Sequence, residues 1–186
     1  ERKGTGHAVM CATDYIDEDD TILVVFGDGP LIKAETVREI ISVHKESGGV
    51  VTVVSCMVDD PAGYGRIIRE NGLFERIVEH KDASEAQLMI QEINTGLACF
   101  NGRALKEALG LLKCDNAQNE YYLTDVPEIL KRKNEAVNIY IGDDPMDFYG
   151  INDRVQLAEA ARIMKERINE RLMLAGVTIW DPQNAY

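Results

Sequence analysis

Positive charge is scarce in this chain: 20 Lys and Arg stand against 32 Asp and Glu, for a net charge of -12 over 186 residues. That shortfall argues against nucleic acid or an anionic membrane as the main partner, because either would be repelled. It leaves room for a nucleotide substrate, whose charge a cation and backbone amides can meet locally. Cysteine is sparse as well. Cys11, Cys56, Cys99 and Cys114 are scattered, no pair has CxxC spacing, and a zinc site is not expected. Cys56 and Cys99 lie in apolar runs and read as small core residues, which fits a reducing cytoplasm. No apolar run approaches the length of a membrane span. The charged start Glu1-Arg2-Lys3-Gly4 has no apolar stretch behind it, so it is not a signal peptide and reads like the middle of a longer chain. What remains is ordinary for one globular domain, with 45% hydrophobic and 28% charged residues.

Hydrophobic patterning predicts alternating strands and helices. Thr21 to Phe26 is a short continuous apolar run ending in Gly-Asp-Gly-Pro and reads as a buried strand of a parallel sheet. Glu35 to Lys45 has helical spacing, and Gly48-Gly49 stops it. Val50 to Met57 is a second buried strand. Two short runs joined by Asn71-Gly72 predict a β-hairpin. Ser84 to Gln87 opens a short helix, and Asn94 to Phe100 is strand-like. Leu105, Ala108, Leu109 and Leu112 share one helix face, and Thr124 or Asp125 caps a helix reaching Lys133. Ala136 to Ile141 is a strand. Asp153 or a neighbour opens the longest helix, to about Leu174, with a stripe through Leu157, Ala161, Met164, Ile168 and Leu172. Val177 to Trp180 reads as a last short strand. The whole predicts an α/β domain over residues 1–186, three-layered and Rossmann-like, with a mostly parallel mixed sheet and a hairpin insertion. Ligands in such sheets bind beyond the carboxyl ends of the strands.

Short polar segments stand at those ends. Asp28, between two glycines, could reach a cation on a nucleotide phosphate, or could simply bond its own turn backbone. Asn152 could ligate, or could be a helix N-cap. Gly63-Tyr64-Gly65-Arg66 precedes the hairpin, and its glycines could serve backbone geometry alone. Glu79 and Asn94 could bond hydroxyl groups of a ligand, but equally could be a solvated strand end and a turn. Gly4-Thr5-Gly6-His7 opens a helix whose free amides could meet a base edge or phosphate, and His7 reads as a packing residue. Lys81 could add positive charge to the sugar side or pair with Asp82.

This ordered set, with Glu79-His80-Lys81-Asp82, Glu92-Ile93-Asn94-Thr95-Gly96, Asn116-Ala117-Gln118 and Gly150-Ile151-Asn152-Asp153-Arg154, resembles the uridyltransferase domain of the bacterial bifunctional N-acetylglucosamine-1-phosphate uridyltransferases. The resemblance runs from Gly4 to the last residues. It implies a GT-A-like nucleotidyltransferase fold, Mg2+ held by Asp28 and Asn152, and a sugar held by Gly65, Glu79 and Asn94. It implies uracil contacts at Gly4 and Thr5, and a nucleotide-side position for Phe26 and Gly27, with Phe26 where a tyrosine is common. Asn119 stands where a glycine follows Ala-Gln, a position Asn can fill in a left-handed conformation.

The resemblance implies UTP, N-acetylglucosamine 1-phosphate and UDP-N-acetylglucosamine as ligands, for cell-wall precursor synthesis. It also implies a homotrimer through an acetyl-transferring β-helix domain that this sequence does not contain. The family's Gly-rich loop, which wraps the triphosphate, has no match either, so the chain alone is expected to have little activity. Two rivals stay open: a related nucleotidyltransferase of other specificity, and a non-catalytic fragment that binds a UDP-sugar.

Overall fold

The apolar runs on either side of the first long helix both become strands, but in different settings. In the computed structural model, which describes residues 3–185, β1 covers Thr21–Val24, α2 covers Ala34–Ser47 and β2 covers Val51–Met57. Glu1, Arg2 and Tyr186, part of the expected 1–186 domain, lie outside the described residues. Six of the seven residues of β2 are buried, whereas β1 is only partly covered. The chain divides into two compact units, Glu1–Phe26 with Ala34–Pro145, and Gly27–Lys33 with Met146–Tyr186.

The first unit carries a six-stranded sheet in the order β4-β3-β5-β2-β6, with β1 also on β5. Here β3 is Gly65–Glu70, β4 is Leu73–Val78, β5 is Glu92–Asn101 and β6 is Val137–Gly142. The long β5 organises it. One of its edges pairs with β2, while β3 takes the first half of the other edge and β1 the second half. The sheet is mixed, as expected, but not mostly parallel: only β2 and β6 run parallel among the described strands. A continuous apolar run reports burial on two faces and carries no information on direction. The antiparallel β5 beside β1 was therefore not legible from the run itself.

Helices cover both faces of this sheet. Ile40 and His44 of α2 are buried on one face, where His44 Nδ1 lies 3.0 Å from the hydroxyl of Thr52 in β2. On the other face, Val51, Val53, Ala98 and Phe100 cluster with residues of α4 (Gly102–Leu109) and α5 (Val126–Arg132). Leu105, Ala108 and Leu109 are buried there, as their spacing predicts, and Leu112 is buried too but lies beyond the end of α4. Val9 and Met10 of α1, Thr5–Met10, pack against the same core. The hairpin between β3 and β4 turns at Asn71 and Gly72, with φ of 51° and 83°, the left-handed pair that a tight two-residue turn demands. A four-residue α3, Glu85–Leu88, starts with a capping box between Ser84 and Gln87. Cys56 and Cys99 are core residues, with burial pushing both thiols up to about 11.

The second unit consists of the Gly27–Lys33 loop, the segment from Met146 to Asp153, α6 (Arg154–Leu174) and the segment after it. Buried Asp147 is held by Lys33 at 2.9 Å and Arg167 at 3.3 Å, and Arg167 also donates to the Leu31 carbonyl at 2.6 Å. That pins the loop to the helix. Gly176 ends α6 as expected: its N–H donates to Met173 and that of Val177 to Leu172, a Schellman pair. Two expectations fail here. Leu157, Ile168 and Leu172 are exposed, while Ala160 and Asn169 are the buried residues of α6. Val177 to Trp180 forms no strand. A four-residue apolar run has no strand identity of its own without a neighbouring edge to pair with.

Candidate active site

Three of the expected sugar residues meet at the mouth of the hairpin. Gly65 opens β3 directly opposite Asn94 of β5, and the hairpin returns the chain so that Glu79 follows β4 beside them. A Cβ on Gly65 would stand 3.2 Å from Ile77 Cγ2, 3.4 Å from Glu79 Oε2 and 3.6 Å from Asn94 Cβ, so the missing side chain lets Glu79 and Asn94 come close to the Gly65 backbone. The Thr124 hydroxyl donates to Glu79 Oε1 at 2.7 Å. Oε2, on the Gly65 side, has no hydrogen bond among the described residues. Asn94 Oδ1 accepts from the Gly96 N–H at 3.3 Å.

The neighbourhood extends through a glycine that sequence reading did not single out. Gly96 has φ of 83°, and a Cβ there would lie 1.8 Å from Cε2 of Phe26. The Phe26 ring therefore rests on a backbone that only glycine can supply, one residue pair away from Asn94. Thr95 locks this turn by donating from its hydroxyl to the Val54 carbonyl at 2.8 Å. The signal was the Asn-Thr-Gly triplet itself, but its partner ring lies far away in sequence.

Behind Glu79 is an acidic cavity of about 230 Å³ lined by Glu79, Asp82, Asp115, Asn116, Tyr122 and Asp125. Burial pushes the Asp125 carboxyl up to about 6, with Glu128, Glu79 and Asp82 adding to the effect and Arg132 opposing it. The expected cap does not form through this side chain, since α5 starts after a 3-10 turn over Leu123–Asp125 and Asp125 makes no capping bond. Lys81 does not pair with Asp82. Its ammonium donates to Gln118 Oε1 at 2.7 Å, Gln118 Nε2 donates to the Tyr122 hydroxyl at 2.9 Å, and Asp82 accepts from the Ala117 N–H at 3.1 Å. Asn119 takes φ of 53°, so the turn survives the loss of the usual glycine.

The Leu123–Asp125 turn also links this region to the chain start. The Leu123 N–H donates to the Thr5 hydroxyl at 3.1 Å, next to the Thr124 bond to Glu79. Gly4 N-caps α1, and a side chain on it would collide with the Tyr121 carbonyl at 2.6 Å. The His7 ring has Cys11 Sγ as a polar neighbour, 4.0 Å from Nδ1.

Asp28 and Asn152 both belong to the second unit. The Ile151 N–H donates to the Asp28 carbonyl at 2.9 Å, which brings Asn152 to the neighbouring position. Their alternative structural roles both lapse. Asp153, not Asn152, caps α6 by accepting from the Gln156 N–H at 2.8 Å. The exposed Asp28 carboxylate makes no turn bond among the described residues. A carboxylate and an amide oxygen are hard donors that suit Mg2+, which takes one or two protein ligands and completes its shell with waters and substrate phosphates. Among the described residues no three His, Cys, Asp or Glu side chains gather into a metal cluster, so any such ion would depend on that shared coordination. A Cβ on the neighbouring Gly27 would meet nothing within 4 Å.

An α/β sheet covered on both faces, with glycines and single polar side chains at its strand ends, is one setting in which ligand sites form, and the chain belongs to the nucleotidyl transferase family, whose model matches residues 1–147. It is 50% identical over 188 aligned positions to the protein named Bifunctional protein GlmU of Bacillus cereus strain G9842, and equally to those of Bacillus cytotoxicus and Bacillus thuringiensis strain Al Hakam. All of this chain is covered, and it spans 41% of the length of those relatives. A crystal structure described as a glucose-1-phosphate thymidylyltransferase from Bacillus anthracis, with sucrose bound, superposes with a TM-score of 0.63. That match covers all of this chain and 67% of the other at 16% identity, so it shows the fold alone.

Proposed function

We propose that the protein carrying this chain makes UDP-N-acetylglucosamine and pyrophosphate from UTP and N-acetylglucosamine 1-phosphate. The observation that carries the reading is that Gly65, Glu79 and Asn94, three residues from separate elements, are immediate neighbours. A free carboxylate oxygen there accepts from sugar hydroxyls, and the Asn94 amide suits an N-acetyl group. In the reaction, a phosphate oxygen of the sugar 1-phosphate attacks the α-phosphorus of UTP, and the bond to pyrophosphate breaks. Such chemistry needs positioning and charge neutralisation rather than a protein nucleophile, which accords with the inert Cys56 and Cys99.

Asp28 and Asn152 would hold Mg2+, which supplies charge neutralisation for the phosphates. Gly4 and Thr5 serve the uracil, and Phe26 and Gly27 the nucleotide side. The four cysteines are free, which supports a reducing, cytoplasmic setting. No helix among the described residues is long and apolar enough to cross a membrane. Acetyl transfer and trimer formation are properties we would look for in the whole gene product.

The test is pyrophosphate release by the full gene product across a panel of UTP and dTTP with N-acetylglucosamine 1-phosphate and glucose 1-phosphate. Preference for UTP with the N-acetylated sugar is expected. Glu79→Gln should raise KM for the sugar phosphate about tenfold, the cost of one hydrogen bond to a charged acceptor, and leave KM for UTP nearly unchanged. Equal turnover of both sugars would overturn the assignment.

A further inference from the structure

The largest fully buried side chain among the described residues is an arginine, Arg66, at 1% exposure. Burying a guanidinium is costly unless its donors and charge are met. Arg66 has no carboxylate in an ion pair among the described residues; Asp60 is near enough to favour its charge, but burial dominates and lowers its pKa. Its bonds go to two backbone carbonyls instead. Nη1 donates to Tyr64 and Nη2 to Leu88 at 3.3 Å, while Nε is buried with no acceptor.

Those two carbonyls are not arbitrary. Tyr64 immediately precedes Gly65, and Leu88 is the last residue of α3. The guanidinium thus ties the loop that delivers Gly65 to a separate element. The same loop is tied at two more points. The Gly63 N–H donates to Nδ1 of His80, the residue after Glu79, at 3.3 Å, and the Ala62 N–H donates to Asp60 at 3.0 Å. In β3 the side chain of Arg66 points to the face opposite that of Gly65, because successive residues of a strand alternate. It therefore cannot touch a ligand lying between Gly65, Glu79 and Asn94.

We propose that Arg66 is a positioning residue for the sugar phosphate, its guanidinium clamping the Tyr64 carbonyl to the end of α3 so that the Gly65 backbone is held against Glu79 and Asn94. The inference rests on the sugar reading given above. It explains why a buried cation is spent on carbonyls. A lysine carries the charge but cannot span two carbonyls with a planar fork, and an apolar residue offers neither carbonyl a donor.

The test uses Arg66→Lys and Arg66→Met in the full gene product, with two readouts. Steady-state kinetics should show KM for N-acetylglucosamine 1-phosphate raised about tenfold in Arg66→Lys, and further in Arg66→Met, with KM for UTP within about twofold of wild type. Amide hydrogen exchange of residues 62–65 should quicken in Arg66→Lys while that of β2 and β5 stays slow. Unchanged exchange in that loop, or equal rises in both KM values, would overturn the proposal. If Arg66→Met does not fold, Arg66→Lys and its exchange pattern decide alone. Glu79→Gln run alongside separates the two ideas: if it leaves the sugar KM untouched, the sugar reading fails, while the exchange data still show whether Arg66 holds the loop.

Discussion

Gly96 shows how much of a site can hang on a residue that contributes no side chain. Its φ of 83° and the Phe26 ring at 1.8 Å from its would-be Cβ leave no room for alanine. Gly96→Ala combines left-handed strain with a ring clash and should cost about 2–4 kcal/mol, read as a lowered urea midpoint. A variant as stable as wild type would show that the ring moves aside freely. A second residue-scale effect comes from the partly buried pair of Arg69 and Glu92, which are joined by two bonds of 2.7 Å, with Ser55 adding a third at the same length. Burial works against the Glu92 charge, but the Arg69 and Ser55 hydrogen bonds outweigh it and hold its pKa below the usual range. Glu92→Leu strands the partly buried Arg69 and should cost about 2–3 kcal/mol, less than a fully buried pair because Arg69 keeps some solvent.

Asp125 should instead be a source of instability at neutral pH. Its carboxyl titrates near 6 folded against 3.8 as the ordinary value, so the folded chain binds the extra proton between those values. The stability this gives is complete below the lower value and is lost as pH rises through the upper one. Asp125→Asn removes the charge and should raise Tm by roughly 2–4 °C near neutral pH. The gain should vanish by about pH 4, where Asp125 is already protonated; a gain independent of pH would mean that the charge is not its cause. None of this was legible beforehand. Thr-Asp before Val-Pro reads as a cap, and only the fold brings Glu79 and Asp82 to face Asp125.

At the scale of elements, local chemistry was readable and long-range partnership was not. Asn71-Gly72 marked the hairpin and Ser84-x-x-Gln87 the capping box, because each is satisfied within a few residues. Strand direction, the exposure of α6 and the absence of a final strand depend on neighbours that no local window contains. The start of α6 gives a clean test of divided labour between adjacent residues. Asp153 accepts the capping bond, while Asn152 has only its backbone N–H engaged, by Gln156 Oε1 at 2.6 Å. Asp153→Ala should cost about 1 kcal/mol of stability by thermal denaturation. Asn152→Ala should leave the melting curve in place and act on catalysis alone. The reverse pattern would return Asn152 to a capping role and remove it from the metal.

At the scale of the whole chain, its net charge of -12 sets a problem that the proposed reaction must solve. A nucleoside triphosphate approaching this chain meets charge of its own sign, and the field of the chain opposes it. Two sets of residues bear on this, and they lie in different units: Gly65, Glu79 and Asn94 in the first, Asp28 and Asn152 in the second. Substitutions should therefore separate into two kinetic phenotypes. Glu79→Gln should affect the sugar phosphate with an unchanged Mg2+ requirement. Asp28→Asn keeps the size of the side chain and the oxygen donor but removes the charge that draws in a divalent cation. It should lower kcat roughly a hundredfold or more, the scale seen when a group that neutralises developing charge is lost. It should also move the Mg2+ concentration for half-maximal rate upward, and part of the loss should be recovered at high Mg2+. Titrating Mg2+ against rate for the two variants and the wild-type protein makes the comparison. If Asp28→Asn loses rate with no change in its Mg2+ dependence, Asp28 holds the loop and not the ion, and the relief of charge repulsion must come from elsewhere in the protein.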